Sequence, residues 1–198
     1  NYTGSCWALK LDIKKFFASI DQTTLMGILG SYVPDRGLMW LLGKVIGSFS
    51  SAVPGVGLPL GNLTSQLLVN VYMNEFDQFV KHKLKIRHYI RYADDFVVMS
   101  SNREWLETIL LRIELFLRSQ LKLQLHQDKV FLITLASGVD FLGWVHFTNH
   151  RVLRTATKRR MMKRIRANSA PEIINSYLGL LRHGNTYKLQ ERIYEQIQ

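Results

Sequence analysis

Asp94 and Asp95 stand side by side between two apolar, β-prone runs, residues 88–91 before them and residues 96–99 after them. Adjacent carboxylates at the tip of a hairpin suit one chemical task well, the gripping of hard divalent cations through oxygen. A third carboxylate, Asp12, closes the alternating stretch Trp7-Ala8-Leu9-Lys10-Leu11-Asp12. Trp7, Leu9 and Leu11 fall on one side of such a strand, and Ala8, Lys10 and Asp12 on the other, so a half-buried strand would carry Asp12 to its exposed end. Gathered carboxylates repel one another and bind protons more readily unless a cation neutralises them. A pair of Mg²⁺ ions, or Mn²⁺ in their place, would do this and supply chemistry too. One ion lowers the pKa of an attacking hydroxyl, and the other stabilises the leaving oxygen of an in-line phosphoryl displacement.

The elements that must position these three side chains are legible from periodicity. Residues 22–33 and 36–48 carry apolar groups at helical spacing, broken at Pro34. Residues 50–61 form a loop rich in Gly and Pro. Asn62 can cap a long helix running to about Lys85, followed by the hairpin with Asp94 and Asp95. A further amphipathic helix spans 103–121, short strands follow around 128–134, 139–147 and 151–154, and the tail from Lys158 reads as helices separated near Pro171 and Gly184-Asn185. This order predicts an α+β arrangement, a small antiparallel sheet with helices on one face and the aspartates on the other.

The chain has 198 residues, 47% of them hydrophobic, enough for a core and too many for a disordered chain. Its formal net charge of +11 points to a polyanionic partner, most often nucleic acid. No acidic residue lies between Phe141 and Pro171, a span holding Arg151, Arg154, Lys158, Arg159, Arg160, Lys163, Arg164 and Arg166 once Asp140 is passed. Such a face can follow a phosphate backbone without reading sequence. Cys6 is the one cysteine, which excludes an internal disulfide and fits a reducing, cytoplasmic setting. No apolar run is long enough for a membrane span, so no membrane partner is expected. His146 and His150 have zinc-like spacing, but no accompanying Cys or second His pair supports a structural zinc. The chain opens on Asn1 rather than Met and enters a strand almost at once, which reads as a piece of a longer protein.

Four stretches taken together resemble the motifs of reverse transcriptases, in the family's order. Asp12-Ile13-Lys14-Lys15-Phe16-Phe17 is similar to motif A, and Gly57-Leu58-Pro59-Leu60-Gly61-Asn62-Leu63-Thr64-Ser65-Gln66 to motif B. Arg91-Tyr92-Ala93-Asp94-Asp95-Phe96 is similar to motif C, and Phe141-Leu142-Gly143-Trp144 to motif E, the primer grip. The resemblance implies a right-hand polymerase palm over residues 1–147 and the basic, mostly helical start of a thumb over 148–198, with the fingers absent. It implies RNA-directed DNA synthesis, with template RNA, a cDNA or primer strand and dNTPs as partners.

The same resemblance implies roles residue by residue. Asp12 and Asp94 would be the principal metal ligands, with Asp95 and the Ile13 carbonyl in support. Phe17 would be a steric gate against the ribose 2′-hydroxyl. Leu60, Gly61, Ser65 and Gln66 would line the nucleotide site. Lys129, near the place of a motif D lysine, would meet the departing pyrophosphate as an acid or a counter-charge. Phe141, Leu142, Gly143 and Trp144 would touch the primer, and Arg151, Arg154, Lys158, Arg159, Arg160, Lys163 and Arg164 the duplex backbone.

Motif B departs from the common Gln-Gly-x-x-x-Ser-Pro pattern, with Leu60 where glutamine is usual and Gln66 where proline is usual. That variant is similar to the enzymes of diversity-generating retroelements, which miscopy template adenines and which have a small basic accessory protein, a partner expected here too. The source would be bacterial, archaeal or phage. The alternatives are a group II intron, retron or defence-associated reverse transcriptase, or a non-catalytic nucleic-acid-binding fragment.

Overall fold

The structure, a computed structural model, describes residues 5–49 and 51–195. The chain divides into two compact units, one of residues 7–132 and one of the residues before 7 together with 133–198. The boundary between palm and thumb expected at 147 therefore falls inside the second unit.

The first unit is built on a sheet in the order β2-β3-β1-β4. Its strands are β1 (Trp7–Asp12), β2 (Tyr89–Tyr92), β3 (Asp95–Ser100) and β4 (Phe131–Thr134), the last running on into the second unit. β1 and β3 are antiparallel, with Trp7 opposite Ser100 and Asp12 opposite Asp95. β2 and β3 make the hairpin, with Tyr92 opposite Asp95, so only Ala93 and Asp94 form the turn. Leu9 and Leu11 are fully buried, as the alternation predicts. Ala8 is fully buried as well, so the face shared by Ala8, Lys10 and Asp12 opens to solvent only toward its aspartate end.

Helices α1 (Phe16–Ser19), α2 (Gln22–Tyr32), α3 (Arg36–Gly47), α4 (Leu63–Gln78) and α5 (Arg103–Gln120) complete this unit. Asp21 and Asp35 cap α2 and α3, accepting hydrogen bonds from the backbone N–H of Thr24 at 2.7 Å and of Leu38 at 2.6 Å. Each cap answers one of the amide groups a helix start leaves without a partner. Asn62 sits at the cap position of α4, yet its side chain makes no capping bond. The α4 helix ends at Gln78 and passes into a π-helical turn, Phe79–Lys83, short of the expected Lys85. That turn lets Phe79 stack on Phe116 of α5, ring centroids 4.1 Å apart.

Phe76, wholly buried, sits edge-on to Phe96 of β3 at 5.0 Å and to Tyr89 of β2 at 6.1 Å. Edge-to-face pairs of this kind add about 0.5–1.5 kcal/mol beyond the area they bury. Tyr72, also wholly buried, donates its hydroxyl to the Leu121 carbonyl at 2.6 Å, and burial pushes its pKa up to about 12. The helices thus anchor the strands that carry the carboxylates. Where a strand was expected from 128, a 3₁₀ turn, Gln127–Lys129, precedes β4 instead.

The second unit holds a three-stranded antiparallel sheet, β5 (Val139–Phe141), β6 (Trp144–His146) and β7 (Arg151–Leu153), and helices α6 (Thr155–Ala167), α7 (Pro171–Leu181) and α8 (Tyr187–Glu195). Its core gathers Trp144, Leu153, Met161, Ile165, Ile174, Leu181, Leu189 and Ile193. Among the described residues, no helix is long and apolar enough to cross a membrane.

Candidate active site

Asp12 ends β1 and Asp95 begins β3, directly opposite each other across the ladder. Asp94 joins them through the backbone, its carbonyl accepting a hydrogen bond from the Ile13 N–H at 3.2 Å. The sheet therefore brings the three carboxylates to one end, as the sequence pattern predicts. The chain leaves β1 through a bridge between Ile13 and Leu125. Its two bonds run through the flanking residues, Lys14 N–H to Gln124 O at 2.9 Å and His126 N–H to Asp12 O at 2.8 Å. The Ile13 carbonyl has no part in that bridge.

The backbone is strained on both sides of the cluster. Lys15 has φ 47° and Ala93 has φ 52°, a left-handed conformation that costs a residue with a β-carbon about 1 kcal/mol. The charges are no more relaxed. Asp94 and Asp95 both have pKa values above the ordinary carboxylate range, chiefly because burial strips them of water. The negative charge of Asp12 adds to the rise in both, and Asp94 adds to it in Asp95. Lysines oppose this. Lys129 Nζ bonds both carboxylate oxygens of Asp12, at 3.0 and 3.1 Å, and Lys10 Nζ lies 3.3 Å from Asp95 Oδ2.

Asp95 Oδ1 is buried and has no hydrogen-bond partner. An orphaned buried oxygen costs about 1–3 kcal/mol and calls for a ligand. Hard oxygen donors, raised proton affinity and an orphaned oxygen fit a Mg²⁺-type cation. As the side chains stand, no three His, Cys, Asp or Glu among the described residues are grouped closely enough to hold a metal ion. Two of the three carboxylates are drawn to lysines, so a cation entering here would exchange places with Lys10 and Lys129.

The motif B loop is tied down by a residue that the sequence did not single out. Gln22 Nε2 donates to the Phe49 carbonyl at 2.6 Å and to the Gly57 carbonyl at 2.9 Å. The Gly57 and Leu58 N–H groups donate to Ile20 O and Phe17 O, each at 2.8 Å. Phe17, half-buried against the core and edge-on to Phe16 at 5.5 Å, is thereby fastened through its carbonyl to the loop that holds Leu60. Leu60 is 80% exposed, whereas Ser65, expected at the nucleotide site, is only 2% exposed on the buried side of α4. Gly61 and Gln66 are exposed, and Gly61 has φ 94°, where a β-carbon would be strained. Ser50, the first residue of the predicted loop, lies outside the described residues.

In the second unit, Phe141 and Trp144 belong to the buried set, while Leu142 is 48% exposed at the hairpin tip beside Gly143. Arg154 is paired with Asp140, Nη2 to Oδ1 at 2.5 Å. The Arg151 guanidinium lies over the Trp144 ring and its Nε donates to the His183 carbonyl. These two arginines are already engaged within the unit. On α6, Arg159, Arg160, Lys163 and Arg164 are exposed and Lys158 is half-buried. The exposed Arg166 adds to this face. The α6 helix turns Met161 and Ile165 inward, so its basic groups face solvent by the ordinary period of an amphipathic helix.

Residues 1–146 match the reverse transcriptase (RNA-dependent DNA polymerase) family. The chain belongs to the reverse transcriptase family. The group II intron-encoded protein LtrA of Lactococcus lactis subsp. cremoris is 23% identical over 229 residues, covering 82% of this chain and 38% of that protein. The protein YkfC of Escherichia coli K12 is 28% identical over 196 residues, covering 79% of this chain and 49% of that protein. The chain thus spans less than half the length of these curated relatives. Among solved structures, telomerase from Candida albicans with a fragment of telomeric RNA superposes with TM-score 0.58 at 11% identity, covering 97% of this chain and 40% of that one. Apo telomerase from Candida tropicalis superposes with TM-score 0.57, covering 72% and 31% of the respective chains at 12% identity. The reverse transcriptase fold, an α+β palm continuing into helices, is the one described above.

Proposed function

We propose that this reverse transcriptase chain carries the catalytic palm of an RNA-directed DNA polymerase. The observation that carries the reading is the meeting of Asp12, Asp94 and Asp95 at one end of the sheet, with the buried Asp95 Oδ1 lacking a partner. Two divalent cations held by Asp12, Asp94 and Asp95, with the Ile13 carbonyl, would activate the primer 3′-hydroxyl and stabilise the leaving pyrophosphate. Phe17, whose carbonyl holds the motif B loop at Leu58, excludes a ribose 2′-hydroxyl with its ring. Lys129, paired with Asp12, serves the departing pyrophosphate as a counter-charge or proton donor. The exposed cations of α6 follow the phosphates of template and primer, a contact weakened by salt.

Primer extension by the intact protein on an RNA template tests the proposal. Synthesis with dNTPs and Mg²⁺, and little or none with rNTPs, is expected. Extension with rNTPs at an equal rate removes the role of Phe17, and failure to extend with either overturns the polymerase reading.

The finer reading is a diversity-generating enzyme, error-prone at template adenines and working with a small basic accessory protein. The exposure of Leu60 supports it, because the side chain is left for contact with a nucleotide rather than packed. A glutamine there could offer a hydrogen bond that leucine cannot, and one lost polar contact is worth about 1 kcal/mol of discrimination. Leu60→Gln is expected to lower misincorporation opposite adenine by about fivefold; an unchanged error spectrum removes Leu60 as its cause. A second reading is a group II intron enzyme, favoured by the relative LtrA, itself a group II intron-encoded protein.

A further inference from the structure

We infer that Arg91 is the positioning residue for Asp94, and that Asp77 is the anchor that makes it one. Arg91 lies in β2 with its side chain only 10% exposed. Its Nε donates to Asp77 Oδ1 at 2.9 Å and its Nη2 to Asp77 Oδ2 at 2.5 Å, a two-pronged grip on a carboxylate near the end of α4. Its remaining arm, Nη1, donates to the Ala93 carbonyl at 3.1 Å. Tyr89 completes the cluster by donating its hydroxyl to Asp77 Oδ1 at 2.7 Å.

The bond to Ala93 acts at the one place in the hairpin where the backbone is strained, since Ala93 has φ 52°. The next carbonyl, that of Asp94, is held from the other side by the Ile13 N–H at 3.2 Å. Two consecutive carbonyls fixed by separate donors orient the peptide planes before and after Asp94. With both planes fixed, little freedom is left in the backbone that aims its carboxylate. Only a planar guanidinium can grip both oxygens of Asp77 and reach a third acceptor together; a lysine offers a single centre of charge. Asp77 lies 17 residues before Asp94 in sequence, in α4, so the bonds of Arg91 to Asp77 and Ala93 couple the helix to the turn. With its guanidinium spent on Asp77 and the Ala93 carbonyl, Arg91 acts through the aspartate turn.

The inference rests on the polymerase reading of the aspartate site, and the test separates the two. Arg91→Lys in the intact protein is expected to raise the Mg²⁺ concentration needed for half-maximal primer extension by about tenfold or more, the usual effect of losing a group that orients a metal ligand. Tyr89→Phe, which removes a bond to Asp77 and leaves Arg91 its own three, is expected to lower the Tm without moving the Mg²⁺ requirement. An Arg91→Lys protein that melts earlier but keeps the wild-type Mg²⁺ requirement overturns the inference, for Arg91 would then be structural only. Should Arg91→Lys not fold, Asp77→Asn serves in its place, with the same rise expected and an unchanged requirement again contrary. A wild-type protein that does not extend primers overturns the polymerase reading instead. The rise in Tm on adding Mn²⁺ then replaces extension: a rise lost in Arg91→Lys supports the positioning role, and an equal rise in both overturns it.

Discussion

Asp94→Asn is expected to lower primer extension by at least about a thousandfold while making the protein harder to melt. The first effect follows from loss of a ligand charge in the proposed two-cation site; a thousandfold corresponds to about 4 kcal/mol of transition-state stabilisation. The second follows from the pKa shifts. Asp94 and Asp95 are raised in the folded protein, chiefly by burial, so folding favours their protonated forms. Their ionisation therefore leaves the fold unpenalised below the ordinary carboxylate pKa of about 4, and the penalty grows as pH rises from there through the raised folded values. Once pH has passed the raised folded value of each group, the full penalty applies. Asparagine at 94 removes its share, so the Tm in metal-free buffer should rise at pH 7 and match wild type at about pH 3. Melting curves at the two pH values, beside extension rates, check both halves. A mutant that melts earlier at pH 7 would mean that Asp94 is held by bonds rather than crowded by charge.

The second large effect concerns stability of the second unit. Gly184 lies against the indole of Trp144, the residue expected to form part of the primer grip. A β-carbon at 184 would overlap Trp144 Cζ3, approach Cη2 to 2.8 Å and stand 2.9 Å from the Arg151 carbonyl oxygen. Neither an indole held in a core nor a strand backbone can withdraw, and Arg151 is pinned here further by the Asn185 N–H, 2.8 Å from its carbonyl. Overpacking against rigid neighbours costs about 1–3 kcal/mol, and this site should fall at the upper end. Gly184→Ala is expected to lower the Tm by roughly 5–10 °C. Gly179→Ala is the matched control. Gly179 lies within α7 with nothing within 4 Å of its would-be β-carbon, so alanine there should stabilise by up to about 1 kcal/mol through helix propensity alone. Equal effects at the two positions would show that the Trp144 contact is not tight.

Local pattern makes much of this fold legible. Alternation in residues 7–12 gave β1, and the pair of apolar runs around Ala93-Asp94 gave the hairpin, because strand period and turn chemistry are properties of neighbours in sequence. The helices between 22 and 48 are legible for the same reason, whereas their caps, Asp21 and Asp35, emerge only from the hydrogen bonds to Thr24 and Leu38. Partnership across long separations was not. Nothing near Lys129 indicates that it grips Asp12, 117 residues away. Nor does the spacing around Lys10 assign it to Asp95, or that around Gln22 to the Gly57 carbonyl. The basic run shows the same limit: a charge count treats Arg151, Arg154 and Arg160 alike, yet Trp144 and Asp140 engage the first two and leave Arg160 exposed. Trp144 read as a surface residue because a motif names its position without saying which way the ring turns. The π-helical turn after Gln78 has no signal in composition, since Phe116, on which its Phe79 stacks, lies far off in sequence.

Binding of Mn²⁺ to the intact protein with a dNTP present, followed through the resonance signal of the free ion, tests the aspartate site most directly. Two ions are predicted for the wild-type chain at pH 7 and at most one for Asp12→Asn. Equal binding by both would contradict the account, since Asp12 would then stand beside the cation site without forming it.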